Sequence, residues 1–231
     1  MARKSASTGK KSGADSARKA VRWNGVPSLK DHRREAILRS VANVLRNSRL
    51  SSLTIQDIAD ELGMTKGNLY YYFRDKEEIL FFCHDYSLDI LLDILARTEK
   101  ARGTAEQKLR TLLAAFVHMI IDELHGTALT LDLHALSPRL LRRVIRKRDR
   151  FDRAIRRLVQ QGMDEGLFAR GDAKLLTFAM LGAVNWIPRW YDPRGVARSD
   201  EIAATFADFL VSGLSPRVRA RARPPRRART A

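Results

Sequence analysis

The segment TIQDIADELGMTKGNLYYYFRDKEEIL, Thr54 to Leu80, decides how this chain is read. Thr54 can cap a helix, and Asp57 three residues on can bond back to the Thr54 amide, a capping box. Ile55, Ile58, Ala59 and Leu62 then recur on one helical face. Gly63 stands where a left-handed residue ends a helix at little cost, because it has no β-carbon. Thr65 can cap a second helix, Lys66 to Tyr72, of only ~10 Å at 1.5 Å per residue. Ala59, Gly63 and Leu69 suit a steep crossing through a short turn, with a small residue at the contact, a turn glycine and an apolar buttress. Thr65, Lys66, Asn68, Tyr70 and Tyr71 are then left on the outer side. A short helix with hydrogen-bonding residues outward fits end-on into a DNA major groove.

Any small helix pair can show a turn glycine and apolar residues at three and four. The continuation Leu69-Tyr70-Tyr71-Tyr72-Phe73-Arg74-Asp75-Lys76 is more particular, since aromatics at a helix tip beside a lysine are costly to expose without use. From Leu53 to Leu80, including Gly63, Gly67, Tyr70, Phe73 and Lys76, the chain resembles the amino-terminal module of TetR-family repressors. The resemblance implies a helix-turn-helix DNA reader, a larger helical domain for ligand binding and dimerisation, and a homodimer on a palindromic operator. It places Thr54, Thr65, Lys66, Gly67, Asn68, Tyr70, Tyr71 and Lys76 at the DNA: Thr65, Lys66 and Asn68 near base edges, Tyr70, Tyr71 and Lys76 on phosphates, and Gly67 allowing close approach. Asn68 could read adenine and Lys66 guanine.

The chain has 231 residues, enough to bury a core without disulfides, and Cys83 is the only cysteine. Cys83 lies in an apolar helical stretch, which favours a packed thiol over a nucleophile. The longest mostly apolar run, Leu175 to Ile187, is too short for a bilayer and contains Asn185, and the basic first thirty residues lack a signal peptide's apolar stretch. A cytoplasmic protein with no membrane partner is expected.

The formal net charge is +17. Residues 1–30 hold eight Lys or Arg against Asp15, and residues 217–231 hold seven Arg and no acid, so residues 31–216 retain only +3. The tails, 1–30 and 216–231, are too rich in Ser, Gly, Pro, Ala and Arg to build a core and are expected to be disordered. The front arm, beside the reading module at 31–75, is positioned to track phosphates or enter a minor groove.

From 31 to 215 the chain reads as all-α, about nine helices, the count the family resemblance implies. Ile37, Leu38, Val41, Val44 and Leu45 form the first buried stripe. Lys76 to about Leu95 is the lever from the reading module into the ligand-binding and dimerisation domain at 76–215. A helix from Thr104 carries Leu109, Leu112, Leu113, Phe116, Val117, Ile120, Ile121 and Leu124. Further helices are expected near Thr127–Leu136, Arg139–Glu165 closed by Gly166, Asp172–Trp190, and Ser199 to Gly213. Ala179, Gly182 and Ala183, with Phe206, Phe209 and Leu210, offer faces for a dimer contact.

The segments Gly166-Leu167-Phe168 to Gly171-Asp172, Leu181 to Trp186 and Arg189-Trp190-Tyr191 resemble a TetR subgroup that includes regulators of fatty-acid and sterol-ring breakdown, whose effectors are often acyl-CoA thioesters. An acyl chain needs a tunnel between apolar helices, and Phe116, Ile120, Phe151, Ile155, Phe178 and Trp186 lie on helices able to form one; the same residues would also serve as plain core. Between Arg139 and Arg157 stand ten Lys or Arg against Asp149 and Asp152. That face is either simply solvated or attractive to CoA phosphates, with Arg142, Arg143 and Arg146 the candidate contacts; it could meet DNA only if the domain lay against the duplex, which the expected geometry disfavours.

His118, Asp122 and His125 share a helical face, but the two imidazoles lie two turns apart, whereas zinc pairs usually sit one turn apart, so no metal is expected. No cofactor is expected either. The chain has no Gly-rich phosphate loop, serine elbow or cysteine with a base nearby in sequence, so no enzyme is expected. The competing reading is a sequence-tolerant DNA-compacting protein governed by its basic arms, with no ligand.

Overall fold

The computed structural model describes residues 36–37, 54–123 and 133–216. Among them every regular element is helical: α1 (Ile55–Glu61), α2 (Lys66–Tyr72), α3 (Lys76–Lys100), α4 (Ala105–His118), α5 (Pro138–Asp164), α6 (Ala173–Asn185) and α7 (Ser199–Ser212). The all-α expectation holds. The described residues carry seven α-helices rather than nine, because the two remaining stretches, near Ile37–Leu45 and Thr127–Leu136, lie largely outside them; Ala36 and Ile37 are helical and Leu133–Ala135 is a 3-10 turn.

Local chemistry sets the helix ends. The Thr54 hydroxyl accepts from the Asp57 amide at 3.2 Å while the Asp57 carboxylate accepts from the Thr54 amide at 2.8 Å. Thr104 and Gln107 repeat this box on α4. Thr65, Asp75 and Asp172 cap α2, α3 and α6 through their side chains, and α5 begins instead with Pro138. Gly63 (φ 60°) ends α1: its amide donates to Asp60 O, and the Met64 amide donates to Ala59 O, the paired bonds of a left-handed C-cap. Gly166 (φ 73°) closes α5 in the same manner, through Met163 O and Gly162 O.

Two expected helices end differently. The Asp172–Trp190 helix stops at Asn185 and continues as a 3-10 turn, Ile187–Arg189. Pro188 has no amide hydrogen to continue the α-helical ladder, and its ring disfavours α geometry in the residue before it. The helix from Thr104 becomes a π-helical turn at Met119–Glu123, and Leu124 lies outside the described residues.

One continuous core joins all these helices. Ile58, Ala59, Leu69 and Phe73 from the reading pair pack with Ile79, Leu80 and Cys83 of α3; Leu109, Leu113, Phe116 and Ile120 face Val144, Phe151 and Ile155 of α5. The Phe116 and Phe151 rings meet edge to face at 5.4 Å. Burial pushes the Cys83 thiol up to about 12, so it stays protonated and unreactive at neutral pH. No helix among the described residues is long and apolar enough to cross a membrane.

Candidate nucleic-acid interface and effector domain

Leu69, 1% exposed, pins α2 against α1, and Tyr72 is half-buried against the same core, so the helix's other residues are left exposed. Thr54, Thr65, Lys66, Gly67, Asn68, Tyr70 and Tyr71 are all exposed, and Lys76 is half-buried at the start of α3. Tyr71 is 74% exposed and lies edge-on to Tyr72, ring centroids 5.1 Å apart. Thr65 spends its hydroxyl on the Asn68 amide at 3.2 Å, which fixes the first turn and leaves the Asn68 carboxamide outward. A β-carbon on Gly67 would meet only Thr65 Oγ1, at 3.9 Å, so the space over the α2 amino terminus is open. Asp57 is held below the ordinary carboxylate value of 3.8, first by the Thr54 hydroxyl and then by the Thr54 amide, with a smaller pull from Lys76. The arrangement is a polar, partly cationic helix tip standing proud of an apolar base, the shape that enters a major groove.

The reading pair is tied to the larger domain through α3. The Ser137 amide, just before α5, donates to Glu77 Oε1 at 2.6 Å and holds that carboxyl below its usual range. Further along, Lys147 Nζ of α5 bridges Asp85 and Asp89 of α3 at 2.7 Å each. Arg157 reaches Glu99 at 3.2 Å, and the Arg143 guanidinium lies over the Phe81 ring at 4.6 Å. These contacts lock α3 and α5 side by side in the same direction. Sequence reading missed this clamp because its partners are about sixty residues apart, and periodicity shows which face is polar but not what stands opposite.

The six residues proposed for an apolar tunnel do not gather in one place. Phe116, Ile120, Phe151 and Ile155 are buried core. Phe178 and Trp186 lie on the outside of α6, 47% and 57% exposed, the first under Arg156 and Lys174 and the second under Arg189. The three-and-four spacing that marked them as apolar does mark a stripe, but one turned away from this chain's core; with Leu175, Ala179 and Gly182 it forms an exposed face on α6, and Phe209 of α7 is likewise exposed. Phe206 and Leu210 are half-buried, and Phe206 stacks on Trp190 at 6.0 Å.

The arginine trio also divides: Arg142 and Arg146 are exposed, whereas Arg143 is turned onto Phe81. His118 meets Asp122 at 3.1 Å, and its other nitrogen is 3.7 Å from Asp200 of α7. His125 lies outside the described residues, and no group of three metal-ligating side chains occurs among those described.

Comparison with known proteins agrees with this layout. The family described as bacterial regulatory proteins, tetR family, matches residues 50–81, and the tetracyclin repressor-like C-terminal domain matches residues 102–214. The HTH-type transcriptional repressor KstR2 of Mycolicibacterium smegmatis is 24% identical over 196 residues, 82% of this chain and 94% of that protein. The structure of the ketosteroid transcriptional regulator KstR2 of Mycobacterium tuberculosis superposes with a TM-score of 0.72 at 22% identity, covering 80% of this chain and 95% of that one. AibR in complex with isovaleryl coenzyme A and operator DNA superposes with a TM-score of 0.66 at 24% identity, covering 80% and 98%. With a capped helix-turn-helix at its front, and family matches to both that module and the helical domain behind it, the chain belongs to the TetR family of DNA-binding transcriptional regulators.

Proposed function

We propose that this protein is a homodimeric cytoplasmic repressor, released from a palindromic operator by a CoA thioester. The observation that carries the DNA half of this reading is the outward, buttressed tip of α2. In this reading residues 31–75 read DNA and residues 76–215 sense the effector and form the dimer. Thr65, Lys66 and Asn68 approach base edges, Tyr70, Tyr71 and Lys76 hold phosphates, and Thr54 and Gly67 shape the close approach. The apolar stripe of Leu175, Phe178, Gly182 and Trp186 supports the dimer, because such a face is costly in water and a two-fold operator calls for two-fold protein symmetry. The two reading helices then enter successive major grooves about 34 to 36 Å apart or somewhat further.

The CoA half rests on the relatives: one is named for ketosteroid regulation and another was crystallised with isovaleryl coenzyme A and DNA. Arg142 and Arg146 offer exposed guanidiniums to CoA phosphates, with Arg143 beside them at the α3 edge. The α3–α5 clamp supplies the transmission. An effector that displaces α5 carries α3 with it, and α3 begins at Lys76, directly behind the reading helix. Such an effector acts through its different affinity for the two shapes.

Selection from random double-stranded DNA by the full-length chain tests the first half. The expected result is a palindrome held about 4 to 10 kcal/mol more tightly than random sequence. Binding without sequence preference and with steep salt dependence would instead establish the DNA-compacting alternative.

A further inference from the structure

Residues 31–216 carry a net +3, yet residues 139–157 alone carry +8, so the rest of that region is acidic overall. The excess is also ordered. Arg139, Arg142, Arg146, Arg150 and Arg153 recur at three and four along α5, all exposed, on the side away from its buried residues Val144, Phe151, Ile155 and Leu158. They form one ridge of about 21 Å at 1.5 Å per residue, interrupted on the same face by one exposed acid, Asp149. None of the five has an ion-pair partner among the described residues, and neither has the exposed Arg148, whereas the other four cations of this stretch are engaged: Arg143 on Phe81, Lys147 on Asp85 and Asp89, Arg156 on Asp152, and Arg157 on Glu99.

We propose that this ridge holds a second segment of double-stranded DNA, separate from the operator read by α2. Three observations select that occupant. The ridge is longer than the phosphates of a single CoA require, so a CoA at Arg142 and Arg146 would occupy only part of it. It carries no aromatic ring, and Ile145, 41% exposed, is the one large apolar side chain exposed beside it on α5, whereas the centre of a protein interface and single-stranded base stacking both draw on aromatic anchors. Evenly spaced guanidiniums without such anchors suit the phosphate backbone of a duplex, read without regard to sequence.

Direction excludes the operator itself. The contacts from Ser137 to Glu77, Lys147 to Asp85, and Arg157 to Glu99 show that α5 runs parallel to α3, away from the reading helix. DNA seated on α2 therefore meets the first turn of the ridge at most. A protein with both surfaces occupied joins two duplex segments, one chosen by sequence and one by charge.

The test immobilises an operator duplex, saturates it with full-length protein, and measures capture of a labelled duplex lacking the operator as salt rises from about 50 to 200 mM. The variant R139A/R150A/R153A leaves α2 and the proposed CoA contacts untouched, so its operator affinity is expected within about twofold of the wild type. Its capture should lose about 0.9 of log-log salt slope per abolished phosphate contact, some 2.7 in all, or roughly a 40-fold smaller loss across that salt range. Capture at the lowest salt should fall by at least about tenfold, and R139K/R150K/R153K should retain most of it. Equal capture by the alanine variant would overturn the proposal and assign the second duplex to the basic tails. So would failure of the wild type to capture any second duplex, or equal capture of polyglutamate, which would mark the ridge as a site for acidic protein.

Discussion

The reading pair and the α4–α5 pair solve opposite problems. α1 and α2 have seven residues each, too short to persist by propensity alone, and bury only Ile58, Ala59 and Leu69 between them. They are fixed at their ends, by Thr54 with Asp57, by Gly63 and by Thr65, which leaves the α2 surface free for a partner. α5 has 27 residues, needs no side-chain cap, and is held along its length by Phe151, Ile155, Val159 and the Lys147 clamp. Function in the first region therefore resides in what local chemistry exposes. In the second it depends on what distant segments do to one another.

Predictions can break this contrast, beginning with the largest. Phe151→Ala removes a ring packed edge-on to Phe116 and should cost about 3 to 5 kcal/mol of stability while leaving base preference intact where the protein remains folded. Thermal unfolding alongside operator selection checks both parts, and altered base preference would undo the separation of the two regions. Asn68→Ala should do the converse: no change in unfolding, and a loss of about 1 to 3 kcal/mol in discrimination confined to one base pair per half-site. A uniform loss over all sequences would reassign Asn68 to the phosphates.

Lys147→Met crosses between the regions. It leaves Asp85 and Asp89 without their shared cation, for a stability loss of about 1 kcal/mol, modest because all three groups keep contact with solvent. Its informative effect should be on effector response, with operator affinity nearly unchanged and release by effector weakened; undiminished release would show that the clamp transmits nothing. The smallest effect concerns acid. Folding lowers the pKa of Asp57, so its contribution is complete above the unfolded carboxylate value and is lost as pH falls through 3.8 and below. Asp57→Asn should flatten that part of the stability profile and leave the profile near neutrality unchanged.

Legibility in the sequence follows the same division. The caps at Thr54 and Thr65, the helix start at Thr104 and the end glycines Gly63 and Gly166 were readable because each depends on neighbours within a few residues. The outward placement of Lys66, Asn68, Tyr70 and Tyr71 followed once Leu69 was recognised as the buttress. Phe178 and Trp186 were not placed correctly, since helical periodicity reports an apolar stripe but not whether this chain's own core or another surface covers it. The early end of α6 was readable in principle from Pro188, whose effect reaches back to Asn185. The clamp on Lys147 and the engagement of Arg143 by Phe81 depend on how two helices align, which no single stretch encodes.

The most direct measurement is release of the full-length protein from its selected operator, titrated with free CoA, short and long acyl-CoAs, and ring-derived CoA esters. The account predicts that one class of ester releases the operator, that free CoA does not, and that R142A/R143A/R146A needs more ester for the same release at unchanged operator affinity. An operator that no thioester releases would leave the DNA reader standing and contradict the claim that a CoA ester controls it.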